Sequence, residues 1–429
     1  MKRRGWVALA FLAPALLVLG ALVVWPAIRT IYGSFFDRFG QEFVGFDNYR
    51  DMFRFDRMRI AIFNSFILVV LFPLFVTTVG LVLAVLSDKV GWKRAFRLVI
   101  FIPAAIAILS SGIIWRVMYE ADPSRGVINA LINIPVSLVK PAGELAGAAP
   151  STDALVVEED GSVTAAVDVD GEGAVVELGL LRITEAELPD GAIEAVAAQS
   201  GGAGTINGVV WRDTRPGDNV KGVVEPGELG VPAVTVVLVD EEGNEVAQAS
   251  SAPDGTFAFE GVEPGSYRAG IDGGEFREPW GGIIWLGADL VTYSAIFSGM
   301  WIWAGFALLV IAAGLASLPR DTLEAARVDG ANEWQVLRHV TVPQLSPVLI
   351  VVFIALTINA LKMFDLIVGI APGSVQDDAN VIALEMWRTA FTGVGNRGVG
   401  SAIAVFLFLL ILPILVFNIR RFTLSEGER

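Results

Sequence analysis

Covalent catalysis has little to work with in this chain. Cysteine does not occur among its 429 residues, and histidine occurs once, at His339. That excludes disulfides, thiolate nucleophiles and cysteine-ligated metal, and leaves no histidine set for zinc or for a nucleophile–base triad. No G-x-x-x-x-G-K-[ST] string is present, so the chain is not itself a P-loop ATPase. The residues that could do chemistry are polar or aromatic groups set inside long apolar runs. Trp301, Trp303 and Gly305 lie in one run, and Thr357, Asn359, Lys362 and Asp365 in another. Such groups cost free energy in lipid and by default mark a substrate path. Their chemistry is noncovalent: ring faces that stack, and hydroxyl, amide, ammonium and carboxylate groups that hydrogen-bond. Each also has a plainer reading. Trp301 and Trp303 fit an interfacial belt, Lys362 and Asp365 fit an i,i+3 ion pair, and Gly305 fits a close helix crossing.

The elements that position these groups follow from composition. The hydrophobic fraction is 54% and the mean hydropathy +0.61, too apolar for an ordinary soluble protein. Six stretches are long enough to cross roughly 30 Å of hydrocarbon as helices. They lie near Trp6–Tyr32, Ile60–Leu86, Leu98–Met118, Leu290–Leu318, Leu345–Ile370 and Val399–Ile419. The first follows "MKRR" but exceeds a signal-peptide core and is not followed by a small-residue cleavage site, so it reads as an uncleaved span. Basic residues at Lys2, Arg3, Arg4, Lys89, Lys93, Arg94, Arg97, Arg320, Arg327, Arg338, Arg420 and Arg421 favour both termini in the cytoplasm. Five arginines between Arg38 and Arg59 weigh against that orientation.

Charge divides the chain in two. Residues 141–280 hold 27 acids and six bases, a net of −21, while the remainder carries +6. Within this acidic stretch the hydrophobic period shortens to two. Val234, Val236 and Leu238 share a face, as do Phe257 with Phe259, and Tyr267 with Ala269 and Ile271. Glu242-Gly243, Asp254-Gly255 and Pro264-Gly265 supply the turns. An antiparallel β-sandwich is expected, with "ALVVEEDGSVTAAVDVDGEGAVVELG" as a second, separate β-rich piece.

One polar stretch interrupts the apolar second half. In "LEAARVDGANEWQVLRHVTVP", Asp321 and Glu324 have capping-box spacing for a helix after Pro319, and Asp329-Gly330 ends that helix. A second helix follows, with Trp334, Leu337 and Val340 on one stripe, closed by Pro343 and Pro347. A helix–Gly–helix element at a membrane face suits docking into a groove of another protein, and equally suits a plain connecting loop. His339, near the end of the second helix, fits a dipole or partner contact.

The residues resemble a known family at this point. Glu324, Ala325, Ala326, Asp329, Gly330, Ala331 and Pro343 stand at the spacing of the EAA loop of binding-protein-dependent ABC importer permeases. Val340 and Val342 replace the loop's usual Ile and Leu. "FVGFDNYRDMF", "ADPSRGVINALI" and "LKMFDLIVGIAPGSVQDDANVIALEMWRTAF" are similar to the carbohydrate-uptake branch, and the tail "GSAIAVFLFLLILPILVFNIRRF" to α-glucoside-type permeases. The resemblance implies an all-α polytopic fold of six transmembrane helices with an inserted extracytoplasmic β-sandwich. It implies a permease subunit of an ATP-driven sugar importer in the bacterial cell membrane, with no catalytic residues and no cofactor of its own. Implied partners are a second permease subunit, two ATP-binding subunits that hold ATP and Mg, an extracytoplasmic solute-binding protein and the lipid bilayer, with no nucleic acid. Glu324, Ala325, Ala326, Asp329, Gly330, Ala331 and Trp334 would dock the ATPase. Trp301, Trp303, Gly305, Thr357, Asn359, Lys362 and Asp365 would line the sugar path.

The insert resembles a different module. "GVVWRDTRPGDNVKGVVEPGELGVPAVTVVLVDEEG" is similar to the B-type repeats of bacterial surface adhesins, over 206–272. In those, acidic loops often bind calcium, which would place Asp213, Asp218, Glu225 and Glu228 as oxygen ligands; solvated acidic loops are the ordinary alternative. The expected organisation is helices 1–3 in 1–140, the insert in 141–283, and helices 4–6 in 284–429 with the EAA loop at 319–347. A membrane-anchored adhesin is the competing function, but one span would suffice to anchor it.

Overall fold

The computed structural model describes residues 2–427 apart from 171 and 215–219, with 2–10, 320, 414 and 417–427 described in backbone only. The chain divides into two compact units. One comprises Met1–Ala121, Arg125–Val127 and Ile284–Arg429, and the other Asp122–Ser124 and Ile128–Ile283.

The first unit is helical. It opens with α1 (Lys2–Leu19), which passes through a π-turn into α2 (Trp25–Gly33). A short α3 (Asp47–Met52) precedes α4 (Asp56–Lys89), an apolar helix of 34 residues that continues through Pro73. Next come α5 (Lys93–Phe101) and α6 (Ile108–Met118). Between these two, Pro103 removes a backbone donor and Ile106 and Ala107 are extended, so the pair bends by 99°. Helix α7 (Val127–Val139) leads into the second unit. The first unit resumes with α8 (Val291–Ala316), α9 (Arg320–Val328), α10 (Glu333–Val336), α11 (Val342–Leu361), α12 (Asp365–Ile370), α13 (Ile382–Phe391) and α14 (Arg397–Gly427).

The six expected spans are helical to different extents. Among the described residues four helical segments are long and apolar enough to cross a bilayer: Phe11–Gly33, Asp56–Lys89, Val291–Ala316 and Glu333–Leu361. The bent α5–α6 pair makes a fifth if it crosses as one. Helix α14 runs 31 residues, from Arg397 to Gly427, across the expected sixth span. The expected fifth span stops early, because α11 ends at Leu361 and the chain restarts as α12.

Helix α8 is the hub. It packs along α4 and also touches α5 and α11, with Ala307, Leu308 and Ile311 fully buried. A second core joins Met52, Met58 and Ala61 to Ile382 and Ala383 of α13 and to Val399, Ala402 and Ile403 of α14.

Among the described residues the second unit holds ten strands in two five-stranded sheets. They are β1 (Ala149–Pro150), β2 (Val156–Val157), β3 (Val163–Val169), β4 (Ala174–Leu181), β5 (Thr205–Arg212), β6 (Leu229–Gly230), β7 (Thr235–Val239), β8 (Glu245–Ser250), β9 (Thr256–Glu260) and β10 (Gly265–Ile271). One sheet runs β1-β4-β5-β6 with β9 also on β5; the other runs β2-β3-β10-β7-β8. The alternation read from sequence holds: Val234, Val236, Leu238, Phe257, Phe259, Ala269 and Ile271 are buried in one core. One expectation is corrected. The stretch around 155–181 is not a separate piece, because β3 pairs with β10, and β4 with β5. Strands β7–β10 pair antiparallel, as expected, and the parallel pair is β4 with β5. The unit's ends meet, as the Gly143 N–H donates to the Arg277 carbonyl at 2.9 Å and Leu145 N–H to Glu275 at 2.9 Å.

Candidate substrate pocket and docking loop

The break between α11 and α12 creates a pocket in the helical unit. After Leu361 the chain turns tightly: Lys362 N–H donates to the Asn359 carbonyl, Met363 N–H to Ala360, and Phe364 N–H to Lys362. A helix that stops in this way exposes side chains that a continuous helix would spread around its circumference. The result is a cavity of about 160 Å³ lined by Ile108, Trp303, Asn359, Lys362, Phe364 and Asp365, among others. Four of the seven path residues expected from sequence therefore converge. Asn359 donates its Nδ2 to the Ala355 carbonyl at 2.9 Å, which orients the amide and leaves Oδ1 as an acceptor. Lys362 and Asp365 sit on opposite sides of the break, so the regular i,i+3 helical pairing does not apply to them. The pocket thus offers an indole face, an amide oxygen, an ammonium and a carboxylate, a set suited to a neutral, hydroxyl-rich molecule.

The other three expected residues lie elsewhere. Trp301 points about 200° around α8 from Trp303 and meets Trp115 edge-on, with ring centroids 5.7 Å apart. Thr357 is buried and donates to the Phe353 carbonyl at 2.8 Å, so its hydroxyl is spent within its own helix. A Cβ at Gly305 would stand 2.5 Å from the Ile100 carbonyl oxygen, which makes this glycine a close crossing of α8 and α5. Sequence reasoning missed Ile108 and Phe364. The break that presents Phe364 carries neither Gly nor Pro, and only the polar pair Lys362 and Asp365 in an apolar run signals it.

At the other end of α11 lies the polar element. Helix α9 starts after Pro319 without a side-chain cap, so the expected Asp321–Glu324 box does not open it. The capping box forms instead at α10, where Asn332 N–H donates to Gln335 Oε1 at 2.8 Å and Gln335 N–H to Asn332 Oδ1 at 2.9 Å. Gly330 takes φ +85°, the left-handed turn expected of it. Trp334 is 65% exposed, and the buried position of α10 is Val336, which corrects the expected apolar stripe. A π-turn follows at Leu337–Thr341 and shifts the helical phase after α10. Glu333 accepts from Lys89 Nζ at 3.1 Å and from Arg327 Nε at 3.0 Å, tying α9 and α10 to the end of α4. Glu324, Ala325, Ala326, Asp329 and Ala331 lie on this exposed or half-exposed element.

In the second unit Asp213 and Glu228 are buried, and each accepts a backbone N–H of its own loop: Gly222 to Asp213 at 2.5 Å, Glu225 to Glu228 at 2.9 Å. Glu225 accepts from Val220 N–H at 3.0 Å. Burial raises the Glu228 carboxyl above its ordinary value, the Glu225 N–H opposes this, and the nearby Asp213 and Glu225 charges add to the rise. Asp218 lies outside the described residues. Among the described residues no group of three or more acids or histidines is placed to hold a metal ion; the acids fasten loop backbone.

Comparison with known proteins bears on the helical unit directly. Residues 234–423 match the family described as binding-protein-dependent transport system inner membrane component. That match covers 190 of the 429 residues. The α-glucoside transport system permease protein AglF of Rhizobium meliloti is 26% identical over 421 residues, 97% of this chain and 82% of the relative. The osmoprotective compounds uptake permease protein GgtC of Synechocystis sp. is 26% identical over 98% of this chain and the whole of the relative. The trehalose/maltose permease MalF of Thermococcus litoralis is 34% identical over 32% of this chain and 46% of its own length. Both long alignments run through the β unit. A bacterial ABC transporter that imports alginate shares the fold, with a TM-score of 0.56 at 16% identity over 98% of this chain and 96% of that one. A second structure of a bacterial alginate transporter, in complex with a pentasaccharide-bound periplasmic protein, scores 0.55 at 17% identity over 97% and 93%. AglF and MalF are sugar-transport permeases and GgtC takes up osmoprotective compounds; none is an enzyme, and this chain is an inner-membrane permease component.

Proposed function

We propose that this permease forms half of the translocation pathway for α-glucosides or related oligosaccharides, driven by ATP hydrolysis on separate subunits. The observation that carries the reading is the exposed helix pair around Gly330, fastened to the end of α4 through Glu333, in a family whose members act within binding-protein-dependent systems. One of two ATP-binding subunits docks on Glu324, Ala325, Ala326, Asp329, Gly330, Ala331 and Trp334, with the exposed indole of Trp334 filling a groove on it. A second permease completes the path, and a solute-binding protein delivers the sugar. Closure of the ATPases moves the docking loops together and re-exposes the cavity as a rigid-body, two-state change. Trp303, Asn359, Lys362 and Asp365 contact the sugar; Trp301, Gly305 and Thr357 hold the helices that carry them.

The docking loop and both termini face the cytoplasm. Since α8 is the one span between the β unit and that loop in sequence, the acidic β unit is then extracytoplasmic. Its adhesin-like strands suit it to meet the solute-binding protein. Calcium plays no part in this reading.

The test is Gly330→Pro combined with Glu324→Lys. Proline cannot adopt φ +85°, and the charge reversal faces the partner. The expected result is loss of ATPase co-purification and of labelled maltose uptake, with the permease still in the membrane. Undiminished co-purification and uptake would refute the coupling role.

A further inference from the structure

A second cavity in the helical unit has no role so far. It encloses about 500 Å³ and is lined by Arg38, Arg57, Gln376, Trp387, Arg388 and Asn396, with Thr389 and Thr392 beside them. Its wall is braced from behind by a buried polar scaffold. Glu385, 1% exposed, accepts from Asn380 Nδ2 at 2.7 Å and from Thr389 Oγ1 at 3.3 Å. Asn64 donates to the Asp378 and Asn380 carbonyls, and Ser65 accepts from Ile382 N–H at 3.0 Å. Arg388 donates to Asp377 at 2.8 Å and to Gln376 at 2.7 Å, so its plane is fixed and its charge is largely balanced.

Position and shape say what the cavity serves. Phe55 and Arg57 place it at the start of α4, and Lys89, bonded to the docking loop, ends that helix. Thirty-four helical residues separate the two by roughly 50 Å. The cavity is therefore at the end of the helical unit remote from the docking loop, with the break pocket between them at the far end of α11. One aromatic pair joins the two cavities. Trp387 stacks on Phe364, with centroids 6.4 Å apart and planes 22° apart. Phe364 lines the break pocket, and Trp387, 41% exposed, lines the larger cavity. With Phe364 backing one face of the indole, the other is left for a guest. The break pocket alone is smaller than the roughly 300–1,000 Å³ of ordinary ligand sites, whereas the second cavity falls within that range.

We propose that this cavity is an entry subsite for neutral oligosaccharide, in which Trp387 stacks on one sugar ring while Arg57, Gln376 and Asn396 bond its hydroxyls. The Phe364–Trp387 pair then separates the rings held outside from the one admitted to the break pocket. Arg388 is offset by Asp377 and Glu385 lies behind the wall, so Arg38 and Arg57 remain as guanidinium donors on the lining. This inference rests on the sugar-import reading and adds a length preference to it.

The experiment uses the whole transporter in proteoliposomes, with labelled maltose and maltotetraose at saturating concentration. Trp387→Ala is expected to lower the maltotetraose rate about tenfold while changing the maltose rate by less than about twofold, the loss of one ring-stacking contact. Arg57→Ala, at an exposed position, should shift the same ratio less, and Trp387→Phe should restore most of it. Equal loss for both sugars, or no loss for either, overturns the subsite. Wild-type transporter that imports neither sugar overturns the α-glucoside reading itself.

Discussion

In the β unit, strand β5 buries Ile206, Val209, Val210 and Trp211 completely, on both of its faces, with Ile206 and Val210 in the core that holds Leu178, Leu180 and Phe259. In the helical unit, α6 meets α12 at Gly112 and Gly369, where a Cβ on Gly112 would stand 2.9 Å from the Gly369 Cα. Many of its large apolar side chains face outward, Phe11, Leu17, Phe63 and Phe66 among them. The difference reflects the solvent each unit is built for. Where water surrounds a unit, withdrawing bulky apolar groups drives packing. Where lipid does, apolar groups gain little by turning inward, and close backbone approach and hydrogen bonds hold the helices instead. At the α6–α12 crossing the bond is explicit: Arg116 donates to the Ile370 and Ala371 carbonyls that end α12. The two units should therefore fail in opposite ways, one when a side chain is cut down and the other when one is added.

The largest effect is expected from Trp211→Ala. Removing a fully buried indole should cost about 3–5 kcal/mol, the range for large-to-small aromatic deletions. Denaturant unfolding of residues 143–277, expressed alone, measures it; that segment is closed by the paired ends at Gly143 and Arg277. A midpoint within error of wild type would break the contrast on the β side. The next largest comes from Gly112→Leu, which inserts a side chain where only backbone fits. Overpacking should cost about 1–3 kcal/mol and lower the aggregation temperature of the detergent-purified permease, with Gly112→Ala between the two. If Gly112→Leu is as stable as wild type, the α6–α12 crossing is not held by close approach.

These two sites also show what could be read beforehand. The strands holding Val234–Leu238, Phe257–Phe259 and Tyr267–Ile271 were visible as period-two runs, because alternation is local, whereas β5 is buried on both faces and shows no such period. The span regions were visible because length and apolarity are properties of a window, although the 99° bend at Pro103 and the stop at Leu361 cut two of them short. The helix–Gly–helix element was legible from the spacing of Glu324, Asp329 and Gly330. The four residues that line the break pocket stood out because a lysine, an acid, an amide and an indole are rare in apolar runs. The crossing of Gly112 with Gly369 was not, since those residues are 257 positions apart and nothing in either helix names the other. Pairing of β3 with β10 failed for the same reason: register between strands about a hundred residues apart is a tertiary fact. The capping box went to Asn332 rather than Asp321 because Pro319 already occupies the N-cap of α9, a local competition that two matching spacings leave undecided.

The smallest effect tests how each unit treats a buried acid. Glu385 in the helical unit is met by Asn380 and Thr389, whereas Glu228 in the β unit sits near two like charges, Asp213 and Glu225. Burial first, and those charges after it, raise the Glu228 carboxyl above its ordinary value of 4.5. A folded-state value above the unfolded one means that the folded unit binds more protons between the two. Its contribution to stability is therefore fully present below the unfolded value and is lost as pH rises through the folded one. Glu228→Gln fixes the neutral form in nearly the same shape. The variant should match wild-type 143–277 near pH ~4 and exceed it at neutral pH, with the gap opening above the ordinary glutamate value. Other carboxylates titrate in both proteins and cancel in the difference, so the gap reports this one group. A variant less stable than wild type at neutral pH would mean that the charge is held by partners, and the β unit would then manage its buried acid as the helical unit manages Glu385.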